Sequence, residues 1–134
     1  MKLLLDTHAV LWWLDDDQRL GARARELIAD PANDVLVSVV SLWEIVVKTR
    51  IGKLEADCKE VFRAIERDGF VPLEIRLPHL LSLVGLPMHH RDPFDHLLIA
   101  QAITEAAVFM SEDRNVSRYP VEIITCTDPP PIPA

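Results

Sequence analysis

The chain opens Lys2-Leu3-Leu4-Leu5-Asp6-Thr7-His8, an unbroken apolar run that stops at a carboxylate. A strand with one wet face alternates apolar and polar residues; an unbroken run needs cover on both faces. That is the environment of a parallel sheet flanked by helices. A carboxylate closing such a strand sits at the carboxyl edge of the sheet, where open α/β folds place their chemistry. The run therefore sets two expectations: a parallel α/β architecture, and further acidic residues converging on the same edge.

The rest of the chain has the alternation this architecture needs. Val35-Leu36-Val37-Ser38 and Ala107-Val108-Phe109-Met110 read as two more buried strands. Shorter strands are expected over 69–73, where Pro72 argues for an edge position or a strand end, and over 121–124. Helices are expected over Thr7–Leu14, over 21–29 with Ala24, Leu27 and Ile28 inward, and over 57–68 and Leu77–Val84. Another follows Ser38, with Lys48 and Arg50 near its end and Gly52 terminating it. The strongest starts at Asp92-Pro93 and runs to about residue 106. Residues 85–91 read as a loop holding His89 and His90. Strands alternating with helices give an α/β fold, a three-layer α/β/α sandwich with a mostly parallel central sheet. A chain of 134 residues is expected to form one domain, 1–126, followed by a Pro-rich extended tail, 127–134.

Charge narrows the partners. A net charge of -7 and a pI near 5.1 argue against a broad basic face for duplex DNA. They leave room for a nuclease, which needs only local phosphate contacts; Lys48, Arg50 and Lys53, and Arg114 with Arg118, are clustered enough to supply them. The two cysteines show no CxxC spacing, the apolar start is too short for a signal peptide, and no stretch is long enough to cross a membrane. A cytoplasmic protein with reduced thiols and no membrane association is expected. Asp15-Asp16-Asp17 reads as a solvated loop. Trp12 and Trp13 cannot share one helix face, so either one is core and the other lines an interface or groove, or both are buried by neighbouring segments.

Four acids stand where chemistry could sit: Asp6, Glu44, Asp95 and Asp113. Each also has a structural reading. Asp6 could cap the helix it precedes, and Asp113 could sit in a turn. Ser41-Leu42-Trp43-Glu44 matches a capping box; with Ser38 as the cap, Glu44 instead falls in the second turn, free to face the sheet edge. The short link from strand to helix favours Ser38. Asp92 is the better cap of its helix. Asp95 is the better ligand, because Leu97, Leu98, Ile99, Ala100 and Ala102 pack that helix closely on the sheet. Four crowded carboxylates repel and raise one another's pKa. A divalent cation removes that cost, and an all-oxygen site selects Mg²⁺ or Mn²⁺. Such ions orient water for attack on a phosphodiester, so the constellation points to metal-dependent phosphodiester hydrolysis. No GxxxxGK[ST], GxGxxG or HExxH occurs, and no serine sits in a nucleophile elbow. His8 stands where a DxD phosphatase needs its second aspartate. His8, His79, His89, His90 and His96 show no ligand spacing; His89-His90 is expected near the site rather than on a metal.

Four segments, Leu3 to His8, Ser41-Leu42-Trp43-Glu44-Ile45, Arg91 to Ala102 (RDPFDHLLIAQA) and Ser111-Glu112-Asp113-Arg114, in this order and spacing, carry a family likeness. The sequence resembles PIN-domain ribonucleases, specifically VapC-like toxins of type II toxin–antitoxin pairs, over nearly its whole length. The resemblance implies a PIN-like fold and an Mg²⁺-dependent endoribonuclease, with Mn²⁺ as a substitute. It implies that Asp6, Glu44, Asp95 and Asp113 are the metal-binding catalytic acids. Thr7 would orient the first carboxylate or a water at the metal, and Ser111 keeps the hydroxyl of the family's usual threonine. Lys48, Arg91 and Arg114 become candidates for binding RNA. The implied partners are RNA, a second copy in a homodimer, and a cognate antitoxin whose tail lies near the site and places an arginine among the carboxylates. Two other readings stand beside this one: a non-enzymatic partner in an antitoxin complex on operator DNA, and a nuclease for DNA or damaged nucleic acid.

Overall fold

The computed structural model describes residues 1–128; the rest of the Pro-rich tail lies outside the described residues. Five strands, β1 (Lys2–Leu5), β2 (Asp34–Ser38), β3 (Val71–Leu73), β4 (Val108–Met110) and β5 (Ile123–Ile124), form one sheet in the order β3-β2-β1-β4-β5. Every pairing is parallel. Strand β1 is central, and its Leu3, Leu4 and Leu5 are fully buried. Leu3 and Leu5 join one apolar cluster and Leu4 the other. Val35 and Val37 separate from Leu36 in the same way, which is why these strands show no alternation. Strand β3 lies on an edge, as Pro72 requires.

Among the described residues six α-helices cover the sheet: α1 (Thr7–Leu14), α2 (Ala22–Ala29), α3 (Val39–Arg50), α4 (Cys58–Arg67), α5 (Leu77–Val84) and α6 (Pro93–Thr104). Helices α1, α2 and α4 contribute Ala9, Val10, Ala24, Ile28 and Ile65 to one cluster; α6 contributes Leu97, Leu98, Ile99 and Ala102 to the other. This is the expected α/β/α sandwich, with the sheet parallel throughout.

Two local features aim the helices at the sheet edge. Ser38 ends β2 and caps α3, accepting from the Val40 amide at 3.0 Å, so the Ser38 cap wins over the Ser41 capping box. The Ser38 hydroxyl also donates to Gln101 of α6 at 2.5 Å, which ties α6 to the end of β2. Trp13 turns inward, packs on Phe70 and donates to Asp68 at 3.0 Å. Trp12 turns to a cleft described below.

The body of the fold reaches residue 128. Thr127, placed at the start of the tail by its composition, donates both its amide and its hydroxyl to Glu112, each at 2.8 Å. Asp128 accepts from the Ala22 amide at 3.1 Å and so caps α2. Cys58 and Cys126 are free thiols. No helix among the described residues is long and apolar enough to cross a membrane.

Candidate active site

The strand ends are level. Leu5 pairs with Met110 and Leu4 with Leu36, so Asp6, Ser38 and Ser111 leave the sheet along one edge. Over that edge lies a cleft of about 360 Å³ lined by, among others, Asp6, Thr7, Glu44, Asp95 and Asp113. The four sequence-selected carboxylates therefore meet, brought by four different parts of the chain.

Asp6 is 4% exposed. Its Oδ1 accepts from the Ala9 amide at 2.8 Å, capping α1. Burial pushes its carboxyl above the usual range, against the Ala9 amide and the Ser111 hydroxyl, which hydrogen-bond the charged form. Asp113 caps a short 3-10 helix, Arg114–Arg118, through Oδ1, which accepts from the Asn115 amide at 2.9 Å. In both cases the plain structural reading and the site reading hold together, because a carboxylate has two oxygens and a cap uses one.

Glu44, 4% exposed, has both oxygens engaged. The Thr7 hydroxyl donates to Oε1 at 2.6 Å, and the Lys48 ammonium meets Oε2 at 2.5 Å one turn along α3. Thr7 thus holds the second carboxylate, not the first. Lys48 lines the cleft, but it is already paired.

Asp92 accepts from the Phe94 and Asp95 amides and is the cap of α6. Asp95, one turn in, faces the cleft. Burial, Asp92 and a hydrogen bond shared with Asp113 push its carboxyl up to about 8. Like charges held this close, partly out of water, keep a proton unless a cation replaces it. The donor set fits a divalent ion: hard oxygens, in excess of the cations facing them.

His90 stands against Asp95 and Asp113 without itself lining the cleft. Its Nε2 lies 3.4 Å from Asp95 Oδ2 and 3.8 Å from Asp113 Oδ2. The sequence places His90 near the site but not among its donors. Trp12 lines the cleft while Trp13 packs inward, the first of the two alternatives the sequence leaves open; Arg19, singled out for no such role, lines it too, with its guanidinium 4.8 Å from the Trp12 ring centroid and in an ion pair with Asp17. Arg91 and Arg114 are exposed and are not among the lining residues. Ser111 is buried, and its hydroxyl accepts from the Asp113 amide at 3.1 Å.

Comparison with known proteins gives the family and the fold. The family model described as PIN domain matches residues 3–122. Solved structures with the same fold include VapBC2 from Rickettsia felis bound to a promoter DNA fragment, at 15% identity and TM-score 0.74, covering 93% of this chain and 98% of that one. DNA-bound VapBC from Salmonella typhimurium aligns at 15% identity and TM-score 0.65, with the same coverage. VapBC-1 from nontypeable Haemophilus influenzae aligns at 16% and 0.62, also over 93% and 98%. No curated protein matches the chain significantly.

Proposed function

The chain belongs to the PIN domain family, and on that footing we propose that it is a divalent-metal-dependent endoribonuclease, the toxin of a toxin–antitoxin pair. One observation carries the reading: Asp6, Glu44, Asp95 and Asp113 reach a single cleft from four parts of the chain. Helix caps alone do not require such convergence.

These four carboxylates would hold Mg²⁺ or Mn²⁺. When bound, the ion neutralises the acids and supplies a water activated for attack on a phosphodiester. The chain's own residues do the rest. Thr7 and Lys48 fix the two oxygens of Glu44, so that carboxylate cannot swing away from the site. Asp6 and Asp113 are fixed by the amides they cap. Lys48, paired on one side, offers remaining N–H donors to an RNA phosphate, with Arg91 and Arg114 exposed at either end of the acidic segments.

The partner reading rests on the neighbours, which are VapBC complexes, two of them on DNA. A cognate antitoxin is the expected partner, and a homodimer the expected assembly. Leu77, Leu81, Val84 and Met88, on and just past α5, are 73–86% exposed, an apolar surface suited to a second copy. The protein would act in the cytoplasm, where RNA is available and Cys58 and Cys126 stay reduced.

The test is cleavage of a mixed RNA pool by antitoxin-free protein with Mg²⁺, with Mn²⁺ and with chelator, using Asp95→Asn as control. Cutting that needs metal and vanishes in the variant is the expected result. Full activity in the variant, or in chelator, overturns the acidic site; equal cutting of matched single-stranded DNA overturns RNA as the target.

A further inference from the structure

The donors around Asp95 are not all oxygens. His90 Nε2, Asp95 and Asp113 each offer an atom within 4.8 Å of the other two. The spacing is informative. Against about 2.7–2.9 Å for a charge-assisted N–H···O bond, the 3.4 Å contact to Asp95 is a long hydrogen bond and the 3.8 Å approach to Asp113 is none. Bonds of about 2.0–2.2 Å to a shared ion, by contrast, put neighbouring donors roughly 3.0–3.5 Å apart, and more at wide angles.

The far side of the ring is fixed in a way that suits a ligand. His90 Nδ1 lies 2.9 Å from the Tyr119 hydroxyl, which also accepts the His89 amide at 3.0 Å. A hydroxyl oxygen has two lone pairs, so in the His90 tautomer with the proton on Nδ1 it takes both N–H groups and Nε2 turns its lone pair to the carboxylates; the other tautomer points Nε2–H at Asp95. Metal-bound histidines are held in this manner, the second ring nitrogen donating to a fixed acceptor. Tyr119 is itself 4% exposed. His90 stands edge-on to Tyr119 and to His96, with centroids 5.6 and 4.8 Å away, and its side chain is only 12% exposed. The ring is preset before any ion arrives.

We propose that His90 is a nitrogen ligand of the metal centre, presented by Tyr119, and that it makes the centre favour Mn²⁺ over Mg²⁺. The inference rests on the metal-dependent reading above. Its chemistry is that imidazole suits transition ions while Mg²⁺ prefers oxygen donors and dehydrates reluctantly. The competing role is a ring that merely props the carboxylates through Nε2–H, touching no ion.

Mn²⁺ bound to the full-length protein separates these roles by electron spin-echo envelope modulation. The expected spectrum shows ¹⁴N coupling in wild type, lost in His90→Gln. Mn²⁺ affinity falls at least 10-fold in that variant, a scale set by the losses seen when ligand supports are removed, and Mg²⁺ affinity falls less. Tyr119→Phe keeps the coupling and binds Mn²⁺ more weakly. Bound Mn²⁺ with no ¹⁴N coupling in wild type, or coupling that persists in His90→Gln, overturns the proposal and leaves the acidic site standing. Failure of wild type to bind Mn²⁺ at all overturns the metal reading itself, and this inference with it.

Discussion

The Thr7 hydroxyl, on the first residue of α1, donates to Glu44 Oε1 at 2.6 Å across to α3. It follows Asp6 directly, so one short segment supplies a carboxylate to the cleft and orients a second. Loss of the hydroxyl leaves a buried acid with one partner fewer. Thr7→Val is expected to keep the fold and weaken Mg²⁺ binding and RNA cleavage by about 10–100-fold. Thr7→Ser should retain most of both. Titration calorimetry with Mg²⁺ checks this, and equal affinities in all three proteins would reject the role.

Lys48 neutralises Glu44 from the other side, with side-chain exposures of 38% and 5%. Lys48→Met strands a buried carboxylate. The expected cost in metal-free protein is about 1–2 kcal/mol, less than the ~3–5 kcal/mol of a fully buried pair because Lys48 is partly solvated. The local charge also becomes more negative, so Mg²⁺ should raise the melting temperature more in the variant than in wild type. Thermal melts with and without Mg²⁺ decide it; an unchanged Mg²⁺ shift would show that Lys48 does not compensate Glu44.

What could be read from the residues, and what could not, divides along physical lines. Burial on both faces erases alternation, so β1, β2 and β4 were legible as apolar runs, and their ends pointed to Asp6 and Asp113. The short link after β2 made Ser38 the cap of α3, and that choice aimed Glu44. His90 was not legible as a donor, because its place depends on a loop path without periodicity and on Tyr119, 29 residues later. The Glu44–Lys48 pair is legible at i,i+4 spacing, although position alone marks Lys48 only as a helix-end cation and an RNA contact. Arg19 over Trp12 and Asp128 on α2 come from chain reversals that no local pattern encodes.

Asp95 makes the stability of metal-free protein depend on pH. Its carboxyl is pushed up to about 8 in the fold, against about 3.9 in an unfolded chain. Between those values the folded state holds a proton that the unfolded state has released. Its contribution is therefore fully present below about pH 4 and is lost as pH rises through 8. Asp6, also raised, adds a component of the same sign. In chelator, wild type should lose stability from pH 5 to 8 with a steeper slope than Asp95→Asn, and at pH 8 the variant should be the more stable. Saturating Mg²⁺ should flatten the wild-type slope by taking the proton's place. Urea unfolding across this range tests it; parallel slopes in chelator would mean Asp95 ionises normally.

Gly21 and Asp128 meet at the N-terminus of α2. A Cβ on Gly21 would stand 2.4 Å from Asp128 Oδ1 and 2.6 Å from the Asp128 amide nitrogen. The second atom is backbone, so a rotamer change cannot relieve it. Gly21→Ala is expected to destabilise by about 1–3 kcal/mol, and Asp128→Ala by about 0.5–2 kcal/mol through the lost cap. The two disturb one contact, so the double variant should lose less than the sum. The consequence reaches the cleft, because displaced Asp128 pulls on Thr127, whose amide and hydroxyl both hold Glu112, the neighbour of Asp113. Gly21→Ala should thus weaken Mn²⁺ binding although it lies outside the cleft lining. Unfolding midpoints and Mn²⁺ titrations on the three variants decide it: full additivity would show that Gly21 and Asp128 do not share a contact, and a destabilised Gly21→Ala with unaltered Mn²⁺ affinity would show that this end of the chain is not coupled to the site.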